Sequence, residues 1–386
     1  MAKIVLYTNT ISPHQLPLAK ELAARAGDGN YRYIYTDAVD KDHSRLGWSL
    51  EAPEWCIHVN SANVNEWLED ADIMLVGGIR PIGLCERRAL SGKTTFYMSE
   101  RWFKPPIGML RLLVPSYRRM AERFVRLFDV GGLVYLPIGI HAARDMARLC
   151  GLIHGDLRCL FRAPELDFER KPGGKVWLKN EQRNTRKYCL DKMRMWGYFV
   201  EPSKFTGQNS QTGDADENSK PQTKNLKQKT LRVLWVGRLL KLKRVDTIIR
   251  AVGELSNSNL QLTLDIYGTG PEGANLKKLA ANYGNIINFY PPVQIDDVRK
   301  VMREHDVYVL SSNAYEGWGA VVSEALEEGM KVIGTYEAGS SATILPEECL
   351  FHSGDWKDLL KLFQSDLQNV GIGDWTTRRA SEVIKV

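Results

Sequence analysis

The stretch LRVLWVGRLLKLKRVDTIIRAVGELSNSNLQLTLDIYGTGPEG, residues 231–273, decides the fold class. It opens on a short apolar run, residues 231–236, that stops at Gly237. A helical pattern covers residues 245–255. A second apolar run, 262–267, then leads through a glycine-rich turn into a helix ending near Leu279. Strand, helix and strand at this spacing predict a parallel sheet covered on both faces. The alternation continues, with strands expected at 286–289, 307–310 and 331–334 and helices at 295–303, 320–328 and 355–363. Such sheets bind ligands beyond the carboxyl ends of their strands.

The first half alternates too, with strands expected at 4–8, 31–35, 73–76 and 94–98 and helices at 16–25 and 116–128. Between the halves, residues 203–230 read SKFTGQNSQTGDADENSKPQTKNLKQKT, with only Phe205 and Leu226 as large apolar side chains. Such a segment cannot bury enough surface to offset its conformational entropy. The expected organisation is therefore an N-terminal domain over 1–202, a polar linker or loop over 203–230 and a C-terminal domain over 231–386. Two α/β domains joined this way leave a cleft, and clefts between domains are common ligand sites.

A chain of 386 residues, 44% hydrophobic and 25% charged, fits this reading of two soluble domains. No run approaches the roughly 20 apolar residues that span a bilayer. The N-terminus has no signal-peptide plan, and the six cysteines form no C-x-x-C pair. The expectation is a cytoplasmic protein without a disulfide framework or zinc site. The net charge of +6 is divided unevenly. Residues 1–200 hold 30 Lys+Arg against 22 Asp+Glu, whereas 201–386 hold 22 against 24. Residues 101–200 alone carry 20 against 9. A nucleic-acid protein would be more uniformly basic, so no nucleic-acid partner is expected.

Two short motifs are set aside. Gly268-Thr-Gly270-Pro-Glu-Gly273 satisfies G-x-G-x-x-G, but the next strand brings no acid for a ribose hydroxyl. Ser91-Gly92-Lys93-Thr94-Thr95 resembles the end of a P-loop, but Arg87 stands where its first glycine is required. Three strand-end elements remain. Gly237-Arg238-Leu239, with Lys243 close behind, offers a sharp turn and two cations, either solvated or clamping a diphosphate. Glu316-Gly317-Trp318-Gly319 precedes a helix holding Glu324. Either its amides and two acids face the cleft, or Glu316 caps the helix and Glu324 is a surface acid. Glu337-Ala-Gly339-Ser340-Ser341 supplies hydroxyls and amides that either hold phosphate oxygens or cap an ordinary helix.

Taken together on successive strand ends of one domain, these residues resemble family 4 glycosyltransferases. The Gly268–Gly270 turn belongs to the same likeness, and the E-x7-E pair Glu316 and Glu324 is its most specific part. The resemblance covers most of residues 231–365 and, more loosely, the strand order of 1–200. It implies the GT-B fold, two facing Rossmann-like domains with parallel sheets and an interdomain cleft. It also implies a retaining, hexosyltransferase-like enzyme that uses a nucleotide sugar, UDP- or GDP-linked, and no cofactor. In its terms Arg238 and Lys243 neutralise the donor diphosphate and Glu316 approaches the transferred sugar. Glu324 binds the ribose. Gly317, Trp318 and Gly319 contact sugar or phosphate oxygens, with Gly268, Gly270, Gly339, Ser340 and Ser341 completing the donor site. No metal is expected, because the D-x-D spacing at Asp214-Ala-Asp216 falls in the linker.

The chain departs from the family on its acceptor side. The first βα turn, Thr8 to His14, has no glycine, and Pro13-His14 either faces the cleft or caps a helix. Glu100-Arg101 replaces a strand-end histidine. Glu100 then binds an acceptor hydroxyl, accepts its proton, or pairs with Arg101. Trp196-Gly197-Tyr198-Phe199 replaces a Pro-Asn-Gly segment, and Arg244 stands where a glycine often follows the lysine. A C-terminal helix crossing back onto the first domain is left open over 378–386. The expected acceptor is a saccharide or lipid-linked molecule in cell-surface glycan assembly. Residues 104–126, KPPIGMLRLLVPSYRRMAERFVR, form a basic amphipathic stretch. It either contacts an anionic membrane at the inner face or packs its apolar side into the core. The competing functions are a nucleotide-sugar epimerase or hydrolase on the same fold, and a non-catalytic donor-binding subunit.

Overall fold

The computed structural model describes residues 2–37, 52–164, 166, 168–170, 176–178, 187–203, 230–255 and 261–366. Ile4–Thr8 (β1), reading IVLYT, is buried at every position after the first. A strand covered on both faces requires such a continuous apolar run. It pairs in parallel with Tyr31–Tyr35 (β2) on one side and Ile73–Gly77 (β4) on the other. Cys56–His58 (β3), Thr94–Ser99 (β5) and Leu133–Pro137 (β6) complete a six-stranded parallel sheet in the order β3-β2-β1-β4-β5-β6. A short antiparallel hairpin pairs Phe168–Arg170 (β7) with Val176–Leu178 (β8).

The second sheet repeats this plan. Leu231–Val236 (β9) lies centrally between Leu262–Tyr267 (β10) and Val307–Leu310 (β12). Ile287–Tyr290 (β11), Lys331–Thr335 (β13) and Leu350–Phe351 (β14) give the order β11-β10-β9-β12-β13-β14. Both sheets therefore reverse direction next to their first strand, the place where open α/β sheets form a ligand crevice. The strands expected at 4–8, 31–35, 231–236, 262–267 and 307–310 are present with those bounds.

Besides the hairpin strands β7 and β8, three strands of the two large sheets escaped the sequence reading for local reasons. β3 is three residues long, β14 is two, and β6 follows two glycines and ends on a proline. The helix expected over 320–328 spans Val321–Glu327, so residues 316–319 are a loop before it and Glu324 lies in its first turn. The Ser91–Thr95 segment is a polar turn leading into β5. Of the linker 203–230 only its two end residues are described, so Asp214-Ala-Asp216 lies outside the described residues, as does 378–386.

The domains meet along a seam beneath the cleft. The Ile140 amide at the start of helix Ile140–Ile153 donates to Thr343 Oγ1 at 2.9 Å. His141 Nε2 donates to the Tyr336 carbonyl at 2.8 Å. Trp318, carried by the C-terminal domain, packs its ring into the N-terminal core beside Ile138, Leu136 and Phe199. A side chain at Gly197 would meet that ring at 2.7 Å and one at Gly139 at 3.1 Å, so both glycines let backbone approach the indole closely.

Candidate active site

The C-terminal wall is made by backbone packed on backbone. Leu239 donates its amide to Thr269 (2.9 Å), and Glu272 donates to the Leu239 carbonyl (3.0 Å). The loops after β9 and β10 are thus zipped together, and glycine is required for it. A Cβ on Gly268 would sit 1.9 Å from the Gly237 carbonyl oxygen, and one on Gly270 would sit 2.5 Å from that of Leu239. These glycines shape the wall. Arg238 stands exposed at its edge, and Lys243 follows on the 3-10 turn Lys241–Lys243.

Lys243 Nζ lies 2.5 Å from Glu316 Oε2, and both side chains are half-buried. The structure therefore brings together two residues 73 positions apart that the sequence reading assigned to one site. Arg244, beyond the lysine, adopts a left-handed backbone with φ 47 and pairs with Asp246 at 3.0 Å. That conformation accounts for glycine being suited to this position, since a side chain there costs about 1 kcal/mol.

Residues 316–319 are held by the loop after β13. Gly339 donates its amide to the Gly317 carbonyl (3.1 Å), and Ser340 donates to that of Trp318 (2.7 Å). The Ser340 hydroxyl donates to the Gly319 carbonyl at 2.9 Å and the Ser341 hydroxyl to that of Thr335 at 2.8 Å. Both serines are fully buried. Their hydroxyls and two of the amides expected to meet phosphate are thus engaged in the protein, and they position the Gly317–Trp318 loop. The Trp318 ring is likewise committed to the seam and not to the cleft.

The N-terminal wall is built from side chains. His14 precedes the helix Leu16–Ala26, and its ring stacks on Tyr198 with centroids 5.9 Å apart. Its Nδ1 lies 3.9 Å from Glu324 Oε1, so His14 does face the cleft and reaches the opposite domain. Burial lowers the His14 imidazole to about 4 and raises the Glu324 carboxyl to about 7, the latter opposed by Arg299. Near pH 6 the histidine is neutral and the acid largely protonated. Pro13 is half-buried on the same turn.

Glu100 pairs with Lys104 and accepts a hydrogen bond from the Tyr198 hydroxyl at 3.1 Å. It does not pair with Arg101, whose guanidinium turns to Asp145 at 3.3 Å. Asp145 also accepts from the Phe103 amide, which fixes Arg101 away from Glu100. The Glu100 carboxylate abuts Gly317, where a Cβ would lie 2.3 Å from its oxygen. Neither Tyr198 nor Lys104 is expected at this site from the sequence, where Lys104 opens the basic stretch 104–126. The replaced junction segment, Trp196-Gly197-Tyr198-Phe199, was the one signal that pointed to Tyr198. Among the described residues no group of three or more His, Cys, Asp or Glu is arranged to hold a metal.

Residues 216–370 match the family described as Glycosyl transferases group 1. The structure superposes on the lipopolysaccharide outer core galactosyltransferase WaaB with a TM-score of 0.54 at 14% identity, covering 94% of this chain and 89% of that one. The fold is GT-B. Anabaena HepE, solved in complex with UDP, gives the same TM-score of 0.54 at 12% identity over 99% of this chain and 94% of its own. By sequence, 106 residues are 29% identical to the UDP-N-acetylglucosamine–peptide N-acetylglucosaminyltransferase GtfA subunit of Streptococcus pneumoniae. That match covers 28% of this chain and 21% of the relative, so the chain spans about a fifth of that protein. In the GT-B cleft the matched segment supplies the Lys243–Glu316 wall, and the facing His14–Glu100 wall lies outside it.

Proposed function

We propose that this protein is a retaining glycosyltransferase of the family 4 type. It moves a sugar from a UDP- or GDP-sugar to a saccharide or lipid-linked acceptor in cell-surface glycan assembly. The observation that carries this reading is the Lys243–Glu316 pair on the loops after β9 and β12, with exposed Arg238 on the first of those loops. The UDP held by HepE favours a UDP-sugar.

The reaction breaks the bond between the anomeric carbon and the diphosphate oxygen, and joins that carbon to an acceptor hydroxyl oxygen. The acceptor proton passes to the departing nucleoside diphosphate, which receives the bonding electron pair. Negative charge grows on the diphosphate, so fixed cations aimed there lower the barrier. Arg238 and Lys243 fill that role without a metal. An arriving diphosphate carries more charge than Glu316 and draws Lys243 toward itself, releasing the carboxylate to face the sugar. Glu324 receives the ribose hydroxyls, and His14 closes over the donor from the other wall. Departure and attack on one face of the sugar give retention. The Glu100–Tyr198 pair lines the acceptor side.

In this reading the protein works at the cytoplasmic face, with residues 104–126 toward the membrane. A thermal-shift panel of UDP-, GDP- and ADP-sugars identifies the donor, because a ligand bound only by the native state stabilises it by mass action. Product assays with Glu316→Gln then test the chemistry. Unchanged transfer by that variant sinks the site assignment, and nucleotide release without acceptor points to hydrolysis.

A further inference from the structure

Four apolar side chains stand in water on one short segment of the N-terminal domain. Ile107 is 51% exposed, Leu110 64%, Leu113 77% and Val114 52%. They occupy the 3-10 turn Gly108–Leu113 and the residue on either side, an element with no buried position. Elsewhere in residues 104–126 the amphipathic pattern is already used. The helix Pro115–Val130 turns Ala121, Phe124, Val125, Leu127 and Phe128 into the core. The apolar face of the helix is therefore committed, and the turn before it is not.

The outer face of that helix is basic. Arg119, Arg123 and Arg126 are exposed at positions i, i+4 and i+7, which align as one stripe. The nearby acids are engaged: Glu86 by Arg123, Glu122 by Arg118, and Asp129 faces His154. Between turn and stripe lies an open groove of about 380 Å³ lined by Arg111, Val114, Ser116, Tyr117 and Met120. Arg80 lies 5.6 Å from the centroid of the Tyr117 ring, adding a cation beside the groove.

We propose that residues 107–114 form a shallow membrane-inserting tip for an anionic bilayer. Ile107, Leu110, Leu113 and Val114 enter the acyl boundary, and Arg111, Arg119 and Arg126 meet lipid phosphates. The groove at Arg111 and Tyr117 seats one headgroup. The choice of a lipid surface rests on the pairing of a bare aliphatic tip with a basic rim, which suits an apolar layer topped by negative charge. Among the described residues no helix is long and apolar enough to cross a membrane, so the contact is with one leaflet. The turn begins at the cleft rim, since Lys104 pairs with the Glu100 that abuts Gly317. This docking rests on the reading above that residues 104–126 face a membrane, and it is tested without the transfer reaction, so its failure leaves the assignment of that reaction standing.

The test is flotation of the full chain with vesicles of phosphatidylglycerol and phosphatidylcholine in equal parts, against phosphatidylcholine alone. Wild type is expected to float only with the anionic vesicles. Leu110→Glu/Leu113→Glu is expected to reduce the lipid-bound fraction by about tenfold or more. Arg119→Ala/Arg126→Ala is expected to reduce it by roughly tenfold at low salt, with little further loss as salt rises. Leu157→Glu, at an exposed leucine outside this patch, is expected to float like wild type. Circular dichroism confirms that each variant is folded. The proposal is overturned if wild type stays out of the lipid fraction at low salt, or if the double glutamate variant floats unchanged. It is equally overturned if inorganic phosphate protects the protein in thermal shift while anionic vesicles do not bind it, since the groove then takes free anion only.

Discussion

The two sheets share one strand order, yet their strand-end loops are made of different material. In the C-terminal domain the loops after β9 and β10 are zipped by backbone hydrogen bonds through glycines that leave no room for a Cβ. In the N-terminal domain the corresponding wall consists of His14, Glu100, Lys104 and Tyr198, held by stacking and ion pairing. On the proposed function, a backbone-built wall suits a donor diphosphate whose shape does not vary, and a side-chain-built wall, which substitution can recast, suits an acceptor that does.

The largest test of that contrast is catalytic. Lys243→Ala or Glu316→Gln is expected to lower transfer by about a hundredfold or more, since in the proposed reaction each removes charge beside the departing diphosphate. Glu100→Gln is expected to cost only about tenfold, chiefly in acceptor KM, as a loss of binding and not of barrier lowering. Initial rates at varied acceptor decide, and the reverse ranking breaks the division of labour between the walls.

Stability gives the next contrast. Gly268→Ala drives a Cβ into the Gly237 carbonyl. It is expected to destabilise by about 3 kcal/mol or more, as strained and overpacked sites do. Gly92→Ala also has a left-handed φ, but open space surrounds it. It is expected to cost only about 1–2 kcal/mol. Urea melts of the two variants separate close packing from conformational strain.

The facing pair His14 and Glu324 sharpens the comparison through pH. Glu324 is raised from 4.5 to about 7, so the fold binds the extra proton and stability falls as pH rises through that window. His14 is lowered from 6.5 to about 4, so stability rises with pH between those values. The two slopes oppose each other in wild type. Glu324→Gln is expected to unmask the rise and His14→Asn the fall, read as thermal midpoints across the range. Donor affinity is expected to increase as Glu324 ionises near pH 7, and Glu324→Gln flattens that dependence. The smallest effect is at the seam. Thr343→Val removes the Ile140 hydrogen bond and is expected to cost about 1 kcal/mol in a melt.

The same difference in material explains what was legible beforehand. Gly237-Arg238, Gly268–Gly270 and residues 316–319 are compact in sequence because backbone-built loops need their glycines side by side. Their alternation with apolar runs also made the second sheet readable, apart from the two-residue β14. The N-terminal wall draws one residue each from positions 14, 100, 104 and 198, so no local pattern marks it. The Glu100–Arg101 adjacency suggested a pair that Asp145 prevents, an outcome fixed by a helix 44 residues away. Ser340 and Ser341 looked available because sequence does not reveal which carbonyls lie above a hydroxyl. The basic stretch at 104–126 was resolved only when the structure separated its buried helix from its bare turn.

Trp318 carries a consequence for how the molecule can be taken apart. Its indole belongs to the core of one domain while its chain belongs to the other, and glycine backbone at 139 and 197 lies against it. The halves therefore do not own separate finished surfaces at that seam. A fragment beginning near residue 231 would present a large aromatic knob with nothing to receive it, and the complementary fragment would hold an empty socket of similar size. Such a pair is suited to reassembly. Co-expressed as two chains, the halves are expected to find each other through this knob, and Trp318→Ala is expected to leave them apart in gel filtration.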